Sequence, residues 1–257
     1  MILLMKDKDT ELHLETSLVT LGDADELLAR RAVKKFKKYQ KNQEIRDQKL
    51  YTLGGEIFSA ITHGITAAVG IAVLVICIVF ATRSDFGARA IVSVSIFGAC
   101  AFIGFTISTV YHSLAINTGK RVLRILDHCS IYFIIAGTYT PFSLIGIGGV
   151  LGWVLFSLNW GLAIIGCTLT AINMKKFKTF GFVCYLVMGW VGIAAAVPLV
   201  RNIGFGVALW LLVAGGVAYT LGAVIYKRKG KYMHGVWHLF TLAGLVLQFF
   251  SILFIMF

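Results

Sequence analysis

Two histidines, His234 and His238, lie four residues apart in KYMHGVWHLF, just before a run that stays apolar to Phe257. On a helix this spacing stacks both imidazoles on one face, about a turn apart. HGVWH lacks the Glu of HExxH, which excludes that peptidase motif. A third imidazole, His112, closes STVYH, with Ser108 one turn earlier. Three neutral imidazoles make a shell for Zn2+ that leaves a fourth position open, as catalytic rather than structural zinc sites do. Zn2+ in such a shell lowers the pKa of its water to about 7. Asp127, in RILDHCSIY, could take that proton, and Ser108 could hydrogen-bond substrate, water or a ligand imidazole. Imidazole donors with an open position favour zinc over iron or manganese.

Each residue also has a plainer reading. A single His at a helix end can snorkel to an interface, and an isolated HxxxH pair is weak. Glu56 and His63, seven apart, suit a polar pair between packed helices. His128 adjoins Asp127 and so points elsewhere, as a structural or lipid-boundary residue. His13 belongs to a solvated tail. The elements that carry these residues decide between the readings.

The chain is 58% hydrophobic and 14% charged, with a mean hydropathy of +0.83, which excludes a soluble globular protein. A spanning helix needs about 20 apolar residues. Seven segments qualify, at 56–81, 88–113, 123–146, 150–172, 179–200, 203–226 and 235–257. The expected fold is an all-α membrane protein, a seven-transmembrane helix bundle over 51–257. The split between the third and fourth helices rests on GIGGVLG at 146–152. Pro141 should kink helix 3, Pro198 should end helix 5, and the GxxxG of Gly148 and Gly152 suits close helix approach.

Residues 1–50 differ: they are charged, and MILLM is too short for a signal-peptide core. Their basic block reads either as an interfacial helix, with Leu27, Leu28, Val33 and Phe36 opposite the charges, or as a topology-setting tail. Of the 24 Lys and Arg, 11 precede the first helix. Lys120, Arg121, Arg124, Lys175, Lys176, Lys178, Lys227, Arg228, Lys229 and Lys231 fall on the same side. Only Arg83, Arg89 and Arg201 fall opposite. The N-terminus is therefore expected in the cytoplasm and the C-terminus outside. This bias accounts for the net charge of +12, so nucleic acid is not an expected partner. A bacterial inner membrane suits the pattern, and so does an endomembrane. Five cysteines, one per helix without a CxxC, read as buried small hydrophobes.

Ionisable groups inside spanning segments are costly and usually functional or paired. On this topology Glu56, His63, His112, Asp127, His128, His234 and His238 all fall at the cytoplasmic ends of four helices. That shared depth favours one site.

The same residues carry a family resemblance. EIFSAITHG (56–64), STVYH (108–112), LDHCSIYFIIAGTYTPF (126–142) and HGVWH (234–238) resemble the signature blocks of the hemolysin III family. That family is the bacterial branch of the progestin and adipoQ receptor (PAQR) group, in a superfamily with alkaline ceramidases. The resemblance covers about 50–257. It implies zinc held by His112, His234 and His238, with Ser108 and Asp127 in the family's Ser and Asp positions. Ser59 stands where relatives often have Asn, which leaves the role of that position open.

The resemblance also implies a reaction, hydrolysis of a lipid amide or ester, with Asp127 as general base and proton donor. Ser108 and Tyr111 would bond the polar head, and Glu56 and His63 would support the ligands. Membrane lipids are the expected partners, with a lipid substrate in an intramembrane cavity; nothing in the sequence sets an oligomeric state. Three alternatives stand beside this. A non-enzymatic receptor would use zinc structurally. A lytic or pore-forming hemolysin would need a polar path that helices 4–6 do not offer. A proton-coupled transporter would spread its polar groups in depth.

Overall fold

The computed structural model describes residues 27–28, 30–38, 51–228 and 230–257. The contacts divide the chain into two units, 1–50 and 51–257. In the first, residues 30–38 are helical: Arg31, Lys34, Lys35 and Lys38 are exposed, and Val33 and Phe36 are half-buried. Leu27 and Leu28 are exposed. His13 and the rest of the basic block lie outside the described residues, as does Lys229.

The second unit is helical, with no strand among the described residues. Seven helices are long and apolar enough to cross a membrane: α1 Leu53–Ala81, α2 Ala88–Ser113, α3 Thr118–Ile147, α4 Gly149–Asn173, α5 Lys178–Ile203, α6 Val207–Tyr226 and α7 Met233–Met256. In a bilayer the backbone must bond to itself, so each apolar block folds as a helix. The hydroxyls on these blocks follow the same rule: Thr62, Thr66, Thr106, Thr109 and Thr140 each donate to the carbonyl four residues back. Large side chains such as Leu53, Ile61, Val150 and Trp210 face outward, which suits lipid and not water.

Two cores hold most of the bundle. Val73, Val94, Phe97, Leu245 and Ile252 pack between α1, α2 and α7. Tyr132, Ala136, Ala163, Cys184 and Met188 pack between α3, α4 and α5.

The helix boundaries have local causes. Thr52 caps α1 by accepting from the Gly55 N–H at 3.2 Å. Asn117 caps α3 by accepting from the Lys120 N–H at 2.8 Å. Past Pro141 the helix widens into a π-helical stretch, Phe142–Ile147, because proline removes a donor and its ring crowds the preceding turn. Asn202 of α5 donates to two of the carbonyls left open where this stretch ends, Gly146 O (3.1 Å) and Ile147 O (2.8 Å). Gly148 (φ 65°) and Gly149 (φ 56°) then make the turn into α4.

Gly152 lets the start of α4 lie against the end of α3, because a Cβ there would strike the Ser143 carbonyl. One sequence expectation needs correction here. Pro198 does not end α5. The helix narrows to a 3₁₀ stretch at Val191–Ala195 and resumes as Ala196–Ile203. Pro198 sits in the first turn of that resumed segment, where a missing N–H costs little.

A candidate metal centre at the basic end of the bundle

The antiparallel order brings the start of α1, the end of α2 and the starts of α3 and α7 to one end. The buried His112, His234 and His238 meet there, with one ligand atom each lying within 4.8 Å of the others. His234 Nε2 is 3.1 Å from His112 Nε2 and 3.2 Å from His238 Nε2. Tetrahedral zinc with Zn–N bonds of 2.0–2.1 Å separates two ligand nitrogens by about 3.3 Å.

The outer nitrogens show which atoms face inward. His112 Nδ1 is 2.6 Å from Glu56 Oε2, and a carboxylate only accepts, so Nδ1 carries the proton. His238 Nδ1 is 3.2 Å from the Ser59 carbonyl and 3.1 Å from Thr62 Oγ1. The Thr62 hydroxyl already donates to Phe58 O and Ser59 O at 2.9 and 3.0 Å, so it too accepts from His238. His234 Nδ1 lies 3.2 Å from the Tyr51 hydroxyl, whose ring stacks on the imidazole at 4.4 Å.

The Nε2 lone pairs of His112 and His238 therefore face His234 Nε2 at hydrogen-bond distance, inside a buried cluster. Such a donor set repels itself unless a proton or cation stands between, and it fits a metal. All three Nδ1 contacts come from one stretch, 51–62, which contributes no metal ligand. Those partners fix all three ring orientations, and the acceptors at His112 and His238 fix their tautomers as well, as outer partners of metal-bound histidines do.

The other sequence candidates are placed as follows. His63 is buried and stacks on His238 with ring centroids 3.4 Å apart. Thr241 donates to His238 O and so accepts from His63 Nε2 at 3.4 Å. His63 Nδ1 then accepts from Ser108 Oγ at 2.6 Å. Ser108 thus reaches the ligands through His63. Tyr111 is buried beside His112, with ring centroids 4.6 Å apart. Asp127 is buried, and its carboxylate accepts no hydrogen bond among the described residues; His128 Nδ1 lies 3.8 Å from its Oδ2. His128 Nδ1 donates to Arg124 O at 2.9 Å, away from the cluster. Burial pushes the Tyr51 phenol up, with Tyr226, Tyr111 and Asp127 adding to the effect and Arg124 opposing it.

Sequence reasoning passed over Tyr51, Thr62, Thr241 and the inward place of Lys120, and left Ser59 without a role. Lys120, counted as a loop charge, is buried, and its Nζ lies 2.9 Å from Glu56 Oε1. One signal was available: Lys120 and Asp127 are seven apart, on one face of α3, as Glu56 and His63 are on α1.

The model of the haemolysin-III related family matches residues 51–249. Hemolysin-3 of Bacillus cereus is 41% identical over 201 residues, covering 77% of this chain and 90% of the relative. The hemolysin-3 homolog of Bacillus subtilis (strain 168) is 40% identical over 206 residues, 80% of this chain and 96% of the relative. The human monocyte to macrophage differentiation factor is 30% identical over 164 residues, 60% of this chain and 66% of the relative. The chain belongs to the haemolysin-III related family and is an integral, multi-pass membrane protein.

Proposed function

We propose that this haemolysin-III related protein is a zinc-dependent membrane hydrolase acting on a lipid amide or ester, with its site at the cytoplasmic side of a bacterial inner membrane. The observation that carries the reading is the convergence of three Nε2 atoms, with every Nδ1 held from outside. His112, His234 and His238 would hold the ion. Zn2+ supplies Lewis-acid polarisation of a carbonyl and lowers the pKa of a coordinated water.

The chain's own residues do the rest. Asp127 has a buried carboxylate with no hydrogen-bond donor on it among the described residues, so it can take a proton from water and return it to the leaving nitrogen or oxygen. Glu56 cannot do this, since both its oxygens are engaged by His112 and Lys120. Ser108 and His63 back the His238 ring, and Tyr111 walls the site beside His112. Outward apolar side chains such as Leu53, Ile57 and Ile61 support a lipid over a water-soluble substrate, because the substrate's chains can stay in the membrane.

The test uses purified full-length protein. Metal content is measured by elemental analysis, and fatty-acid release from ceramide and ester lipids by mass spectrometry. Asp127→Ala should keep the metal and lose turnover, while His238→Ala should lose both. Zinc unchanged in His238→Ala, or full turnover in Asp127→Ala, would overturn the reading. A receptor with a structural ion is the second reading, favoured by the cluster's linking of α2 to α7. It predicts metal-dependent stability with no release from any lipid.

A further inference from the structure

Lys120 is 3% exposed in a membrane protein, an unusual place for an ammonium group. It stands in the first turn of α3, just past the Asn117 cap, and turns inward. Its Nζ donates to the Leu114 carbonyl at 2.9 Å and meets Glu56 Oε1 at 2.9 Å, with the Tyr111 ring 5.0 Å away. The other oxygen of the same carboxylate, Oε2, holds His112 Nδ1 at 2.6 Å. One carboxylate thus bridges a buried ammonium and a ligand imidazole.

We infer that Lys120 is a positioning residue of the metal centre, acting through Glu56 on His112; this rests on the metal-binding part of the reading above. A lone carboxylate has two equivalent oxygens and could rotate or turn outward. With Oε1 held by Lys120, Oε2 is left facing His112 Nδ1. A carboxylate held in this orientation keeps its hydrogen bond to Nδ1–H aligned, and that bond raises the donor strength of the opposite Nε2. The Leu114 contact fixes the ammonium by tying it to the turn that ends α2, one residue after the helix that carries His112.

Lys120 could instead be only a staple between α2 and α3, and the test separates the two. Zinc affinity is measured by competition with a chromogenic chelator, and stability of the metal-free protein by thermal unfolding, both on the full chain. Lys120→Gln keeps a donor for Leu114 O but drops the charge; Lys120→Met drops both. If Lys120 acts through Glu56, both variants weaken zinc binding about 10- to 100-fold, as losing an outer partner of a ligand does. In a Glu56→Gln background the same changes should cost less than about twofold, because the carboxylate they act on is gone.

Zinc affinity within about twofold of the parent in Lys120→Gln, or an equal loss with and without Glu56→Gln, would overturn the inference. So would a fall in metal-free stability with unchanged affinity, which marks a staple. Should Lys120→Met fail to fold, the pair of Lys120→Gln and Glu56→Gln still decides. If the parent protein binds no zinc, the proposed function fails first, and the two failures are distinguished by that measurement.

Discussion

Replacing Glu56 with alanine removes the group on which two α-helices and one ligand converge. His112 Nδ1 loses a partner at 2.6 Å and Lys120 Nζ loses one at 2.9 Å. Lys120 keeps one hydrogen bond, to Leu114 O. Charge-assisted hydrogen bonds contribute about 1.5–3 kcal/mol each, and removing one partner of a buried ion pair costs about 3–5 kcal/mol. The Glu56 side chain is 14% exposed and the lysine stem is flexible, so some water can reach the freed ammonium. The lower end, about 3 kcal/mol for the metal-free protein, is therefore expected. Zinc affinity should fall a further 10- to 100-fold, because the freed His112 ring can rotate and take the other tautomer. Glu56→Gln should fall between, since an amide oxygen can serve His112 but an amide NH2 cannot accept from Lys120. Thermal unfolding with and without chelator, together with zinc competition, measures both effects. Glu56→Ala with parental stability and parental affinity would refute the reasoning, because neither contact would then carry free energy.

Three more outcomes follow from the geometry. Thr62→Val removes one of two acceptors for His238 Nδ1 and leaves the Ser59 carbonyl, so zinc affinity should fall less than about tenfold in the competition assay. Chelating the metal should lower the melting temperature of the parent, by about 4 kcal/mol equivalent where free zinc exceeds Kd a thousandfold, and leave His112→Ala unchanged. Gly152→Ala drives a methyl group into the Ser143 carbonyl, so thermal unfolding should show a loss of about 1–3 kcal/mol with zinc binding intact.

Most of the fold was legible because a membrane allows few choices. Seven apolar blocks of sufficient length can only be helices, and each observed span overlaps its expected segment. The three converging histidines were legible because His is rare here and HxxxH fixes a face. Of their neighbours, Glu56 and His63 were legible too, and the rest were not. Thr62 and Ser59 are ordinary residues in an apolar helix, and their roles depend on His238 arriving from 176 and 179 positions away. Tyr51 sits where the charged segment ends, and only the folded chain stacks it on His234. Lys120 was misjudged for a physical reason: the positive-inside pattern treats every loop cation alike, and this one is neutralised inside the bundle. Pro198 was misjudged because a proline's effect depends on where a helix restarts, which 3₁₀ narrowing at Val191–Ala195 decides.

The division of labour across the bundle can be tested from its far side. α2 and α7 supply the imidazoles, α1 holds their outer nitrogens, and α3 brings Lys120 and Asp127. Among the described residues no hydrogen bond, ion pair or ring contact of the three histidines comes from α4, yet Asn159 on that helix is fully buried, and neither of its amide atoms has a hydrogen-bond partner. An unpaired buried amide costs about 1–3 kcal/mol on mutational scales. Leucine has nearly the same shape without polar atoms, so Asn159→Leu should raise the unfolding free energy by up to about that amount. Zinc affinity and any lipid turnover should not change, because the metal centre is built by other helices. A stabilised variant with parental zinc binding confirms that α4 is scaffold. A destabilised variant, or one with altered zinc binding, would show instead that Asn159 belongs to a polar network coupled to the site, and the separation of scaffold from centre would fail.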